Sequence, residues 1–268
     1  MNFDTPNFNE RLKTIKFREL MIACIFALIL TAILGEIFPI VNDSEDLWYD
    51  LVTSIILLFF IYALKNTYGL TSNIKNIFER NNQKEIIYVF LINLFFATIL
   101  LVLISNLDIL LGFLDSTGDV GFDGSYVEIT PIMFILNIIG TVILAPIVEE
   151  LMFRGVLLNR LKMRTGVIPA ILISSFIFGM IHEFGGMTSA FLFGICMCIL
   201  YLKTDNILIP MSVHFLNNFI VTILDTSQID LFLLEFPWII PMSVICIIST
   251  ILLIQYIYKG VKKVKNIT

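Results

Sequence analysis

The chain is 268 residues long, 58% hydrophobic and 15% charged, with a mean hydropathy of +0.93. That composition excludes a soluble globular core and points to an all-α, polytopic membrane bundle working in a lipid bilayer, with no feature of a nucleic-acid partner. The net charge of −5 says little until the charges are placed along the chain.

Residues 1–18 are polar and mixed in charge, with Phe8, Leu12, Ile15 and Phe17 loosely spaced for one helical face. They read as a cytoplasmic interfacial segment. Apolar runs follow at 19–40, 48–64, 86–105, 131–158, 167–184, 187–202, 207–224 and 238–257. These predict about eight transmembrane helices in a single integral membrane domain over 1–268. The fifth and sixth are separated only by the Gly185-Gly186 turn signal. Cys24, Cys196, Cys198 and Cys246 all fall inside apolar runs, which fits small packing residues better than a disulfide framework.

All 17 Lys and Arg residues fall on one side of the membrane if both termini are cytoplasmic. The opposite connections, 42–46, 106–130 and 225–235, carry acids and no cation. The positive-inside rule therefore predicts eight spans with N- and C-termini inside. Residues 66–85 place Leu70, Ile74, Ile77 and Phe78 at helical spacing and predict a surface helix. Residues 106–130, with Gly118, Gly121 and Gly124 among acids, predict an outer loop.

The fourth run contains Glu149-Glu150-Leu151-Met152-Phe153-Arg154. Acids in such a run cost roughly 2.5–3.5 kcal/mol each on insertion scales and by default mark function. Glu150 and Arg154 are i,i+4 neighbours able to pair. Glu149, turned by ~100°, is left without a local partner. The structural alternative is a helix end whose acids meet loop cations. The chain has only two histidines, His182 and His214. Phe178 lies one turn before the first, and Asn218 one turn after the second. Each could be a packing or interhelical hydrogen-bonding residue taken singly. Glu149, His182, His214 and Asn218 together put four polar groups into three runs. Lipid offers them no partners, so they are expected to find one another.

Glu149-Glu150-x-x-x-Arg154, Phe178-x-x-x-His182 and His214-x-x-x-Asn218, in that order, resemble the three motifs of the CAAX protease and bacteriocin-processing family. Its intramembrane proteases include the type II CAAX prenyl endopeptidases. The resemblance covers about 149–218 and implies core helices within 131–224 whose Glu149, His182, His214 and Asn218 line a polar cavity within the membrane. A desolvated Glu149 would act as general base on a water, His182 would position it, and His214 with Asn218 would hold the oxyanion. Glu150, Arg154 and Phe178 would give structural support. Two histidines and a carboxylate are also a possible Zn²⁺ set, namely His182, His214 and Glu149. A metal-free site stays open beside it.

The resemblance implies a peptide or membrane protein as substrate. Richness in Ile, Asn and Lys suggests an AT-rich bacterial genome, hence a bacterial plasma membrane. A non-catalytic partner (bacteriocin immunity, or escort of a sensor or transporter) and a proton-coupled transporter are the competing readings. No repeated pair of broken helices supports the transporter. Other protease chemistries fit less well. The His182-Glu183 pair lacks the second histidine of a zincin helix, since Gly186 stands there. Ser212 faces away from His214, and Asp119 and Asp123 lie outside the apolar runs.

Overall fold

The computed structural model describes residues 7–114, 130–182, 186–227, 229–234 and 237–267. Among them there is no strand. A short helix α1 (Phe8–Thr14) leads into α2 (Phe17–Ile37) and α3 (Glu45–Leu64), which form an antiparallel pair. Then come α4 (Leu70–Ile77), the long α5 (Arg80–Leu114) and α6, one continuous helix over Pro131–Thr165. The chain ends with α7 (Val167–Met180), α8 (Met187–Thr204), α9 (Leu208–Thr226), the short α10 (Ile229–Leu234) and α11 (Ile239–Ile267).

Local chemistry fixes these boundaries. Asn7 and Glu10 form a reciprocal capping box for α1, Ser44 accepts from Leu47 N at the start of α3, and Thr130 with Pro131 opens α6. Gly166 (φ 84) separates α6 from α7, a backbone angle that favours glycine.

Six helices among the described residues are long and apolar enough to cross a bilayer: α2, α3, α6, α8, α9 and α11. At 14 residues α7 falls short of that length. The third apolar run lies in α5, which extends through 106–114, where the sequence predicted loop. The remainder of that loop, 115–129, lies outside the described residues, as do Glu183 and Gly185 of the α7–α8 turn. Phe26, Ile29, Ile33, Leu58 and Ile61 face outward. Such a surface is stable only against lipid, and the chain is an integral membrane protein.

α6 is the helix the others surround: α1, α2, α3, α7, α8 and α9 all contact it. α5 packs between α9 and α11, and α7 forms a hairpin with α8.

The described part of the N-terminal segment, residues 7–18, packs against the bundle. Phe8, Leu12 and Ile15 are buried, with Leu12 packed against Gly155 of α6. The end of the bundle, not lipid, covers their apolar face. This segment is tied in by polar contacts at the same end. Asn9 donates to Asp205 O (2.6 Å), Lys13 pairs with Asp205 (2.7 Å), and Arg11 donates to Asn66 O (2.7 Å). Arg160 reaches Ile15 O (2.8 Å), and Asn206 donates to Asn73 O (2.8 Å). The cation-bearing connections thus meet at one end of the molecule. Arg154 is the exception: it is fully buried and belongs to no connection.

Candidate active site

Pro146 sets the local geometry. It has no N–H, and its ring crowds the carbonyl four residues back, so the α-helical ladder opens on its N-terminal side. There Ile138–Leu144 winds as a π segment. The Ala145 N–H goes to Gly140 O, removing the donor that Thr141 O would meet in an α-helix. Pro146, next in line, has none to give. Thr141 O instead accepts from Asn218 Nδ2 of α9 at 2.8 Å. A second π segment, Leu151–Leu158, begins directly after Glu150. Such segments recur at functional sites. The α-helical stretch between them, Ala145–Glu150, carries both acids.

Gly140 lets α3 come close, since a Cβ there would overlap the Asp50 carboxylate. That approach brings Tyr49 to Glu149. Its hydroxyl donates to Glu149 Oε1 at 3.1 Å. Glu149 Oε2 lies 3.8 Å from His214 Nε2 and has no hydrogen-bond partner among the described residues.

Glu150 has a different set of neighbours and is completely buried. Its Oε1 accepts from Arg154 Nη1 at 3.0 Å and from His214 Nδ1 at 3.0 Å. Arg154 Nη2 donates to Gly194 O at 3.3 Å. The Arg154 guanidinium also sits over the Phe178 ring, 4.4 Å from its centroid. A buried ion pair needs further bonds around both charges, and these contacts supply part of them, with Glu150 Oε2 and Arg154 Nε left without a hydrogen-bond partner among the described residues. Because a carboxylate only accepts, His214 must carry a proton on Nδ1. Its Nε2 is thereby presented to Glu149.

His182 does not lie on a helix. α7 ends at Met180, and His182 N donates to Gly179 O in the turn that follows. Its Nδ1 is 2.7 Å from Phe178 O, which fixes the proton on Nδ1 and leaves Nε2 as the free acceptor. Phe178 holds both histidines, with ring centroids 4.7 Å from His182 and 6.0 Å from His214.

His182, His214 and Asn218 line one cavity of about 160 Å³, together with Asn217, Asn93 and Ser189. At ~30 Å³ per water this holds a few waters but not an extended peptide. Glu149 is not among the lining residues. It stands behind the His214 ring, on the Nε2 side. Both histidines are oriented as metal ligands often are, with Nδ1 bound to a carbonyl or carboxylate. Even so, among the described residues no three His, Cys, Asp or Glu side chains form a group able to hold a metal. The arrangement does not fit a Zn²⁺ site of His182, His214 and Glu149, and no step below depends on one.

Tyr49, Asn93 and Asn217 were not singled out from the sequence. The two asparagines lie in apolar runs, so the rule that a polar group in lipid needs a partner applied to them equally. Tyr49 gave only a weak signal, beside Asp50 at the start of an otherwise apolar run.

Three comparisons bear on this site. The family model described as type II CAAX prenyl endopeptidase Rce1-like matches residues 131–220, the stretch that supplies every cavity residue except Asn93 and Ala97. A protein of Bacillus subtilis (strain 168) described as "Putative membrane peptidase YdiL" is 33% identical over 95 residues. That match covers 35% of this chain and 39% of the relative. No solved structure matches the chain.

Proposed function

We propose that the chain is a member of the CAAX protease and bacteriocin-processing family, a reading supported by the match over residues 131–220, and that it is an intramembrane endopeptidase that hydrolyses a peptide bond with a glutamate-activated water. One observation carries this reading. Both adjacent acids are bound through Oε1 and leave Oε2 without a hydrogen bond among the described residues, but their surroundings differ. Glu150 is fully buried and paired with the Arg154 guanidinium, whereas Glu149 is held by the neutral Tyr49 hydroxyl and turns Oε2 toward His214 Nε2. An acid without a cation partner beside an imidazole nitrogen is the better candidate for the base.

In the proposed reaction a water sits at the cavity edge of the gap between Glu149 and His214. Glu149 takes its proton, and the oxygen bonds to the scissile carbonyl carbon. His182 Nε2, its lone pair facing the cavity, accepts from the water and orients it. The tetrahedral oxyanion is met by the Asn218 Nδ2 proton not used by Thr141 O and, when protonated, by His214 Nε2. Collapse breaks the C–N bond, and the proton held by Glu149 passes to the leaving nitrogen. Asn218 is held for this by Thr141 O and by the Asn217 amide at 3.4 Å. The small cavity makes substrate entry depend on separation of the helices around it. A peptide or a membrane-protein segment in extended form is the expected substrate class.

The test is comparative peptidomics of membranes from cells carrying the wild-type chain or Glu149→Gln. Peptides that appear with the wild type and vanish with the variant support the protease. Identical peptide profiles, with both chains equally abundant, would sink it in favour of an immunity or escort role.

A further inference from the structure

At the cation-bearing end, α2, α6 and α7 border a second hollow of about 730 Å³, lined by Lys16, Phe17, Arg18, Leu157, Arg160, Leu161, Arg164 and Ile177. Four of these side chains are cationic and none is acidic. The acid nearby, Glu19, is already bound to Lys16, through Nζ at 3.7 Å and the backbone N at 3.2 Å. Arg160 is committed to Ile15 O and Thr14 O. Arg18 and Arg164 are exposed and make no ion pair or hydrogen bond among the described residues. The remaining lining is apolar, and Phe17 and Ile177 are 43% and 40% exposed.

Guanidinium groups at the mouth of a hollow with a hydrocarbon floor, at the end of a membrane bundle, match one kind of ligand. We propose that this hollow binds an anionic membrane phospholipid, with its phosphate between Arg18 and Arg164 and its acyl chains along Leu157, Leu161 and Ile177. Charge complementarity selects the headgroup, and basic pockets between spans at the membrane surface bind acidic lipids in this way. α2 begins at Phe17, so its positive dipole end adds to the same field. A soluble anion would leave the apolar floor uncovered, and a neutral lipid would leave the two arginines without a partner. The lipid would also fasten α2 to α6 a short distance beyond Arg154. The proposal does not depend on the protease reading, because the floor and the cations are separate from the cavity.

The experiment is native mass spectrometry of the full chain with phosphatidylglycerol or phosphatidylcholine of the same acyl chains. The proteins are the wild type, Arg18→Gln/Arg164→Gln, and Arg80→Gln/Lys84→Gln as a control at exposed α5 cations. The wild type is expected to retain phosphatidylglycerol preferentially. At about 1 kcal/mol per cation the first double variant should lose roughly 30-fold of that preference, and the control should keep it. Thermal melting in detergent, with a phosphatidylglycerol-dependent rise in the wild type and control only, reads the same site independently. Equal retention of the two lipids by the wild type would overturn the proposal. So would an equal loss in the control, which would mean bulk surface charge. Displacement of the lipid by inorganic phosphate would overturn the lipid as occupant.

Discussion

Tyr49 donates its hydroxyl to Glu149 Oε1 at 3.1 Å, a contact that spans 100 residues of sequence and joins α3 to the helix bearing both acids. A hydrogen bond to a charged group is worth about 1.5–3 kcal/mol, so Tyr49→Phe is expected to lower kcat by roughly tenfold or more. Melting temperature should fall only modestly, because the ring stays in place and one hydrogen bond is lost. Steady-state cleavage in proteoliposomes checks this; an unchanged kcat would remove Tyr49 from the site.

Substitution should separate the two glutamates. Glu149→Gln keeps shape and polarity but removes the proton acceptor. Turnover should fall by roughly 10²–10⁴-fold while the protein melts near the wild-type temperature. Glu150→Gln instead strips Arg154, which is fully buried, of its counter-charge, and breaking a buried pair from one side costs about 3–5 kcal/mol. That variant should lose stability as well as activity. Equal melting temperatures for the two would contradict the division of roles.

Gly140→Ala tests the approach of α3 to α6. The added methyl group meets the Asp50 carboxylate, and overpacking of this kind costs about 1–3 kcal/mol. Relief requires the buried Asp50 carboxylate to turn aside or the helices to part, and only parting lengthens the Tyr49 contact. The expected result is lower thermal stability, with a loss of activity if the helices separate. Wild-type behaviour in both assays would show that the close contact is dispensable.

Metal removal gives a further test. With no three donors grouped among the described residues, cleavage should persist after dialysis against a chelator. Loss of activity that returns only on adding Zn²⁺ would make His182 and His214 ligands and require the site to rearrange on loading.

Much of the bundle is legible in hydropathy, because lipid imposes long apolar runs and six of them are helices of spanning length. The three short motifs were legible as well, because polar residues stand out in such runs. Burial of the N-terminal segment was not. An amphipathic stretch that packs on a protein end has the same pattern as one that lies on lipid, and only the partners of Asn9 and Leu12 distinguish them. The early end of α7 was likewise hidden, because Ile181 and His182 continue an apolar run that no capping residue interrupts. Tyr49 reaches Glu149 only through tertiary packing, for which one sequence carries no periodic signature.

The π winding at Ile138–Leu144 inserts a phase shift in α6 just ahead of the two glutamates. Each residue of an α-helix advances ~100° around the axis. With α winding there instead, the residues beyond it would run ahead by roughly one position, carrying Glu149 toward the side that Glu150 now faces and bringing Val148 toward Tyr49. Which acid meets Tyr49 therefore depends on winding upstream, and neither side chain decides it alone. Restoring an N–H by Pro146→Ala would give Thr141 O a donor within its own helix, in competition with Asn218. One proline thus acts as a timing mark, setting both the angular position of the base and the anchorage of the amide opposite it.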